Sequence, residues 1–541
     1  GVSGVRRRLG AVPGVAEFDP LFFEVSPREA EVMDPRQRLL LQEMWRALED
    51  AGCGPDQLAG ERVGVFVGVE EGDYRYLTGE NASLTSNNTS ILAARLAYFL
   101  NLSGPNMAIN TSCSSGLVAL HEACLSLRAG ECDTAVVAGA NVLADVRSYD
   151  VMAEAGMLSA DGVCRAFDRR ADGMVPGEAV AVVVLKRQAD AEAGGFRRYA
   201  SVLGSGINYD GRTNGITAPS GAAQVRLLRD VYERSGVDAG SVGYLVAHGT
   251  GTRLGDPVEV NALAEAFGGG GGSGFCALTS FKPNVGHAQA ASGLVGVIGL
   301  VLAMRNEVIP PSINCDELND YVDWEQSPFF VNRELRSWES GGGVRRGAVS
   351  AFGFSGTNAH VVLESGVSVR EELAAVGGQE VSSGYLLLMS AKSADALSGL
   401  LVGLADWLER VGDGVGDGFL ASVSFTLMRG RHHFAHRCAL VVGGVGDAVR
   451  LLRQAAEGER PLKVYRGRVT RDFAPNALLR ELAVEALRSR QDQDGVRYQE
   501  LLEALADLYC QGYEPEFGEL FEETPALVAL PGYPFARDEY W

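Results

Sequence analysis

A cysteine that opens an apolar helix and two histidines in glycine-rich turns are the residues of this 541-residue chain best placed for covalent chemistry. The run Asn110-Thr111-Ser112-Cys113-Ser114-Ser115-Gly116 joins a short strand to a helix that is apolar nearly all round and stops at Gly130. Unpaired N–H groups and the dipole at a helix amino end favour a thiolate, so a lowered pKa and a nucleophilic sulfur are expected at Cys113. Its small neighbours leave room for a substrate, although a buried structural thiol would tolerate them too. Histidine is scarce, with His121, His248, His287 and His360 the histidines of the first 365 residues. His248 stands in Ala247-His248-Gly249-Thr250-Gly251-Thr252, and His287 ends Phe281-Lys282-Pro283-Asn284-Val285-Gly286-His287. Both are glycine-flanked turns after strand-like runs. His121, two turns into the helix, and His360, opening an apolar strand, are expected to be structural. A last turn, Ala351-Phe352-Gly353-Phe354-Ser355-Gly356-Thr357-Asn358, has backbone free enough to aim N–H groups at a developing oxyanion. A cysteine hydrolase would draw on the same residue types, and would also need a group to orient its histidine.

Elements must bring these four segments together. Near-continuous apolar runs at 63–69, 107–110, 134–138, 179–185, 244–247 and 360–363 predict strands buried on both faces, as in a layered α/β domain. The apolar run 290–304 contains three glycines and is too short for a membrane span, so a buried helix is expected there. The stretch Gly268 to Gly274 predicts a flexible surface loop. A linker is expected over 366–380. A smaller unit follows, with strands at 385–390 and 439–443 around a helix at 394–411, and then a charged, helical tail.

Composition narrows the function classes. Hydrophobic residues make up 46% and charged ones 22%, as in soluble globular proteins. A net charge of −21 argues against nucleic acid as a partner. The basic clusters Arg6-Arg7-Arg8, Arg345-Arg346 and 429–433 are expected to be solvated surface. Nine cysteines without a CxxC pair predict neither a disulfide framework nor a metal site, and point to a reducing, cytoplasmic compartment. No signal peptide or membrane span is expected. The opening Gly1, with no methionine, looks like a piece of a longer polypeptide.

The four segments, in this order, resemble the β-ketoacyl synthase family, and in particular the ketosynthases of modular polyketide synthases. The resemblance extends through Phe18-Asp19-Pro20-Leu21-Phe22-Phe23, Met33-Asp34-Pro35-Arg36-Gln37-Arg38 and Asp210-Gly211-Arg212-Thr213-Asn214-Gly215. It implies an α/β, thiolase-like five-layer αβαβα fold with a small α/β flanking subdomain. The implied bounds are 1–365 for the ketosynthase, 366–461 for the flanking linker subdomain and 462–541 for a segment that wraps back. It also implies that Cys113 takes an acyl group from an acyl carrier protein, and that His248 and His287 bind the extender carbonyl and stabilise the enolate left by decarboxylation. Lys282 is implied to order the second histidine, with Glu259 as its carboxylate. The N–H groups of Cys113 and Phe354 would form the oxyanion hole, the Phe354 ring would gate the acyl tunnel, and Thr250 and Thr252 would contact the pantetheine arm. No cofactor is expected to be bound, since phosphopantetheine arrives on the carrier. A homodimer is implied.

The absence of a GHSxG acyltransferase motif before the tail implies a separate, trans-acting acyltransferase. Some residues depart from the family pattern: its glycine-rich amino-terminal strand is missing, Gly116 replaces a usual serine, Pro283 a small polar residue, and Gln289 a frequent glutamate. A non-condensing, transacylating ketosynthase would be expected to lose the histidine at 248. A conjugate-addition branching ketosynthase would keep all three residues.

Overall fold

The computed structural model describes residues 8–54, 58–79, 83–268, 272–339, 343–368, 384–412, 419–488, 495–514, 520–521 and 524–541. Most of the expected linker, Arg6 and Arg7, and the centre of the glycine-rich loop lie outside the described residues. Two sheets carry the larger unit. The first has the spatial order Asn106–Ile109, Val63–Val69, Thr134–Asn141, Ala179–Lys186, with the last strand antiparallel to its neighbour. The second has the order Phe329–Val331, Cys276–Thr279, Tyr244–Val246, Arg346–Phe352, Thr357–Ser365, Ala200–Tyr209, and here Thr357–Ser365 runs antiparallel to both neighbours.

Side-chain alternation stacks these sheets into five layers. Val63, Val65 and Val67 face outward onto Leu40, Trp45 and Leu96, while Phe66 faces inward onto Leu117 and Leu120. In the second sheet Val246, Val349 and Val361 face the same middle layer, and Leu245, Ala348 and Val362 pack outward on Leu227, Leu228 and Leu263. The middle layer consists of two helices, Ser115–Ala129 and Ser292–Asn306, buried between the sheets. The expected buried helix at 290–304 is the second of these. It is the one described helix long and apolar enough to cross a membrane, and half of that span is buried inside the protein.

The expected strands are all present, some of them longer than their apolar runs. Among the described residues the outer edge of Ala179–Lys186 has no strand beside it, whereas its counterpart Thr357–Ser365 is covered by Ala200–Tyr209. A groove of about 740 Å³ runs along that open edge, lined by Val182, Val184, Val202 and Ile298.

The smaller unit is an antiparallel sheet of Tyr385–Ala391, His436–Val442 and Val464–Arg468. Leu387, Met389 and Leu440 point towards the helices Ala394–Gly412 and Val445–Ala456, and Leu386, Leu388 and Val441 towards Gly495–Gln511. The strand Val464–Arg468 and the helix Gly495–Gln511 therefore belong to this sheet and its cover, beyond the expected boundary at 462. The tail returns to the larger unit: the Tyr533 N–H donates to Glu49 Oε2 at 2.8 Å, and Asp538–Glu539 pairs antiparallel with Glu17–Phe18.

Candidate active site

Cys113 is buried in the tight turn that leads into the Ser115–Ala129 helix. Ser112 holds φ 60°, a left-handed conformation that costs a non-glycine residue strain. Hydroxyls brace the turn: Ser115 Oγ donates to the Ser112 carbonyl at 2.6 Å and accepts the Thr111 N–H at 2.9 Å. Ser114 Oγ donates to the Thr111 carbonyl at 2.9 Å. The far end of the helix closes at Gly130, φ 73°.

The thiol itself is not lowered as the helix terminus predicts. Burial pushes it up to about 12, the Glu70 carboxylate adds to the rise, and Lys282 and the backbone N–H groups of Phe354 and Cys113 oppose it. Helix-end stabilisation is outweighed because the sulfur is dry and the helix proper begins two residues later. Those two N–H groups, supplied by separate segments, lie close enough to favour the charged sulfur.

The turn that supplies the Phe354 N–H is pressed onto the nucleophile turn. A Cβ at Gly353 would stand 2.3 Å from the Thr111 carbonyl oxygen, so only glycine fits. Gly356, at φ 93°, completes the reversal. The Phe354 side chain is 45% exposed.

His248 and His287 meet edge to face, ring centroids 5.5 Å apart, and His248 lies 5.8 Å from Phe352. Burial, with Lys282 nearby, holds both imidazoles well below the usual histidine range, so both are neutral. His287 Nδ1 accepts the Gln289 N–H at 3.1 Å, which places the ring proton on Nε2 and makes that nitrogen a donor. His248 Nδ1 is buried without a partner. Gln289, a departure from the family pattern, acts here through its backbone, at φ 45°.

The hydrogen bonds of Lys282 and Glu259 run to the backbone of the first histidine's turn. The Lys282 ammonium donates to the His248 carbonyl, and Glu259 accepts the N–H groups of His248 at 2.6 Å and Gly249 at 2.8 Å. Lys282 is also close enough to His287 for its charge to help hold that imidazole down, while its hydrogen bond runs to the His248 backbone. Burial holds Lys282 down and Glu259 up.

The half-buried Thr250 and Thr252 face each other, hydroxyls 3.2 Å apart. Asp256, which the sequence did not single out, accepts the Gly251 and Phe167 N–H groups and fixes that loop. His121 and His360 are structural as expected, bonded to Ser205, and to Ser350 and Tyr232.

Known proteins can be set beside this geometry. A model described as "Beta-ketoacyl synthase, N-terminal domain" matches residues 3–191, and its C-terminal counterpart matches 199–316. "CurL-like, PKS C-terminal" matches 385–452. The chain is 50% identical over 537 residues to the polyketide synthase ThaG of Burkholderia thailandensis, covering 98% of the chain and 9% of that protein. It is 38% identical to the polyketide synthase PksM of Bacillus subtilis, covering 99% and 12%. It thus spans about a tenth of these curated relatives. Among solved structures, the ketosynthase from module 6 of the bacillaene synthase of Bacillus subtilis matches with a TM-score of 0.85 and 36% identity, over 98% of this chain and 92% of that one. An oxazolomycin ketosynthase domain of Streptomyces albus matches with a TM-score of 0.83 and 35% identity, over 97% and 87%.

Proposed function

The chain belongs to the β-ketoacyl synthase family, and from that premise we propose that it extends acyl chains for a polyketide synthase by decarboxylative condensation. An acyl thioester on a carrier protein is attacked by the Cys113 sulfur. The carbonyl oxygen takes its charge under the N–H groups of Cys113 and Phe354, the carrier thiolate leaves, and it carries away the proton the thiol gave up. A malonyl-type thioester then enters along Thr250 and Thr252. Its carbon–carboxylate bond breaks, carbon dioxide departs, and the electron pair moves onto the thioester oxygen as an enolate.

His287 Nε2–H and the neutral His248 ring face that oxygen as donors in a dry site, where such dipoles count most. The enolate carbon attacks the acyl carbonyl on Cys113, and collapse in the same oxyanion hole expels the Cys113 thiolate.

The observation that carries this reading is the filled Nδ1 of His287, which fixes the ring as an Nε2–H donor. No cofactor resides in the domain in this scheme, since the pantetheine arm comes with the carrier, and a separate acyltransferase charges the extender in the cytoplasm. A homodimer is proposed through Asn106–Ile109, an edge strand whose Asn106 and Met107 are exposed.

Intact mass tests the scheme. Wild type, loaded from an acyl pantetheine thioester and offered malonyl carrier protein, should give the two-carbon-extended product. Cys113→Ala should not load, and His248→Ala should load without extending. Loading of the wild type with neither carbon dioxide nor extension would replace condensation by plain acyl transfer.

A further inference from the structure

Glu70 follows the strand Val63–Val69 and continues its inward face. On that face Phe66 packs on the nucleophile helix, and a Cβ at Gly68 would stand 2.5 Å from the Gly116 nitrogen and from the Ser115 carbonyl carbon. Two residues further along the same face, the Glu70 side chain is directed at the turn that holds Cys113. Its Oε1 is buried without a hydrogen-bond partner.

The nearest cation is already engaged. Arg36 gives Nε and Nη2 to Asp34 at 3.1 and 2.7 Å, and its Nη1 reaches the Glu70 backbone carbonyl at 2.7 Å, not the carboxylate. The Glu70 charge adds to the rise of the Cys113 thiol, in keeping with the face the two share. A carboxyl kept only for structure would have its oxygens paired; an enclosed acceptor left open beside a nucleophile is free for a donor that arrives with the substrate. Burial pushes the Glu70 carboxyl up despite the Arg36 charge beside it, so a neutral donor fits better than an ammonium group.

Resting on the acyl-transfer reading above, we propose that Glu70 selects the acyl chain carried on Cys113, and that this chain bears a hydroxyl near its thioester that donates to Glu70 Oε1. A plain alkyl chain of equal length would leave the oxygen desolvated and unpaired, a penalty that sites built to bond a hydroxyl turn into strong rejection.

The test compares 3-hydroxybutyryl and butyryl pantetheine thioesters as acyl donors, following the loading of Cys113 by intact mass. Wild type should load the hydroxyacyl chain with a kcat/KM about tenfold higher or more. Glu70→Leu should bring that ratio to about one or invert it, and Glu70→Gln, which keeps an acceptor oxygen, should retain part of it. A wild-type ratio near one, or a ratio unchanged in Glu70→Leu, overturns the proposal while leaving acyl transfer standing. If Glu70→Leu does not fold, the wild-type and Glu70→Gln ratios decide. Failure of both thioesters to load wild type overturns the acyl-transfer reading along with this one.

Discussion

Cys113 rests as a thiol because burial opposes its ionisation more strongly than Lys282 and the nearby N–H groups favour it. Its pKa of about 12 means that the thiolate fraction, and with it the rate of capture by an alkylating reagent, climbs as the pH rises. Lys282 lowers that pKa, so removing its charge raises it further. Iodoacetamide labelling of the Cys113 peptide, read by mass spectrometry, should therefore increase steadily from pH 7 to 10 with no plateau, and Lys282→Met should slow it several-fold at each pH. A plateau below pH 9 would return the helix-terminus argument to first place.

The sequence made Cys113, His248 and His287 legible because rare residue types stood in turns of small residues, where chemistry needs access. Glu70 was not legible: beside Glu71 in a polar turn it looks like solvated charge, and only the packing of Gly68 on Gly116 puts it under the nucleophile helix. The bond from Lys282 to the His248 backbone was not legible either, since nothing in the sequence shows that the turn at 248–249 crosses the ammonium.

At the scale of elements, the two middle helices open with the same four residues, Ser115-Gly116-Leu117-Val118 and Ser292-Gly293-Leu294-Val295. They pack reciprocally. A Cβ at Gly116 would press on Leu294 Cγ at 3.2 Å and the Ala290 oxygen at 2.8 Å, and one at Gly293 on Leu117 Cγ at 2.6 Å. Each helix thus offers a glycine notch to the other's leucine, which explains Gly116 where the family usually carries serine. Gly293→Val should cost about 1–3 kcal/mol through overpacking, visible as a lower melting temperature. Gly443→Ala, with nothing within 4 Å of the added carbon, should leave the melting temperature unchanged. Equal effects would show that the notch is not what sets the spacing.

The sheets were only partly legible. Runs such as Val63–Val69 announce themselves by length, whereas Cys276–Thr279 and Phe329–Val331 are too short for a pattern, and Arg346–Phe352 hides behind glycine, alanine and serine.

Across the whole molecule, Phe22 joins segments far apart in the chain. Its ring lies 4.7 Å from Trp45, 5.5 Å from Phe434, 4.5 Å from Tyr533 and 4.8 Å from Phe535, centroid to centroid, and it is almost fully buried. Trp45 belongs to the outer helix Pro35–Asp50 of the first sheet, Phe434 to the smaller unit, and Tyr533 and Phe535 to the returning tail. Lys392 adds a cation 4.9 Å from the Phe22 ring, with its ammonium on the Phe22 carbonyl at 2.6 Å. One aromatic side chain therefore couples the smaller unit and the tail to the catalytic layers. Truncating it removes contacts on all three sides, at about 3–5 kcal/mol for a buried phenylalanine. Phe22→Ala should accordingly raise hydrogen exchange at the Tyr540 amide, which bonds to the Ala16 carbonyl at 2.8 Å, by a hundredfold or more. The neighbouring Leu21→Ala, at a side chain 74% exposed, should leave it unmoved. If Phe22→Ala leaves the Tyr540 amide as protected as in wild type, the tail is held by its strand pairing and by its hydrogen bonds to Arg38, Glu49 and Asp19, and the aromatic cluster is not the joint between the two units.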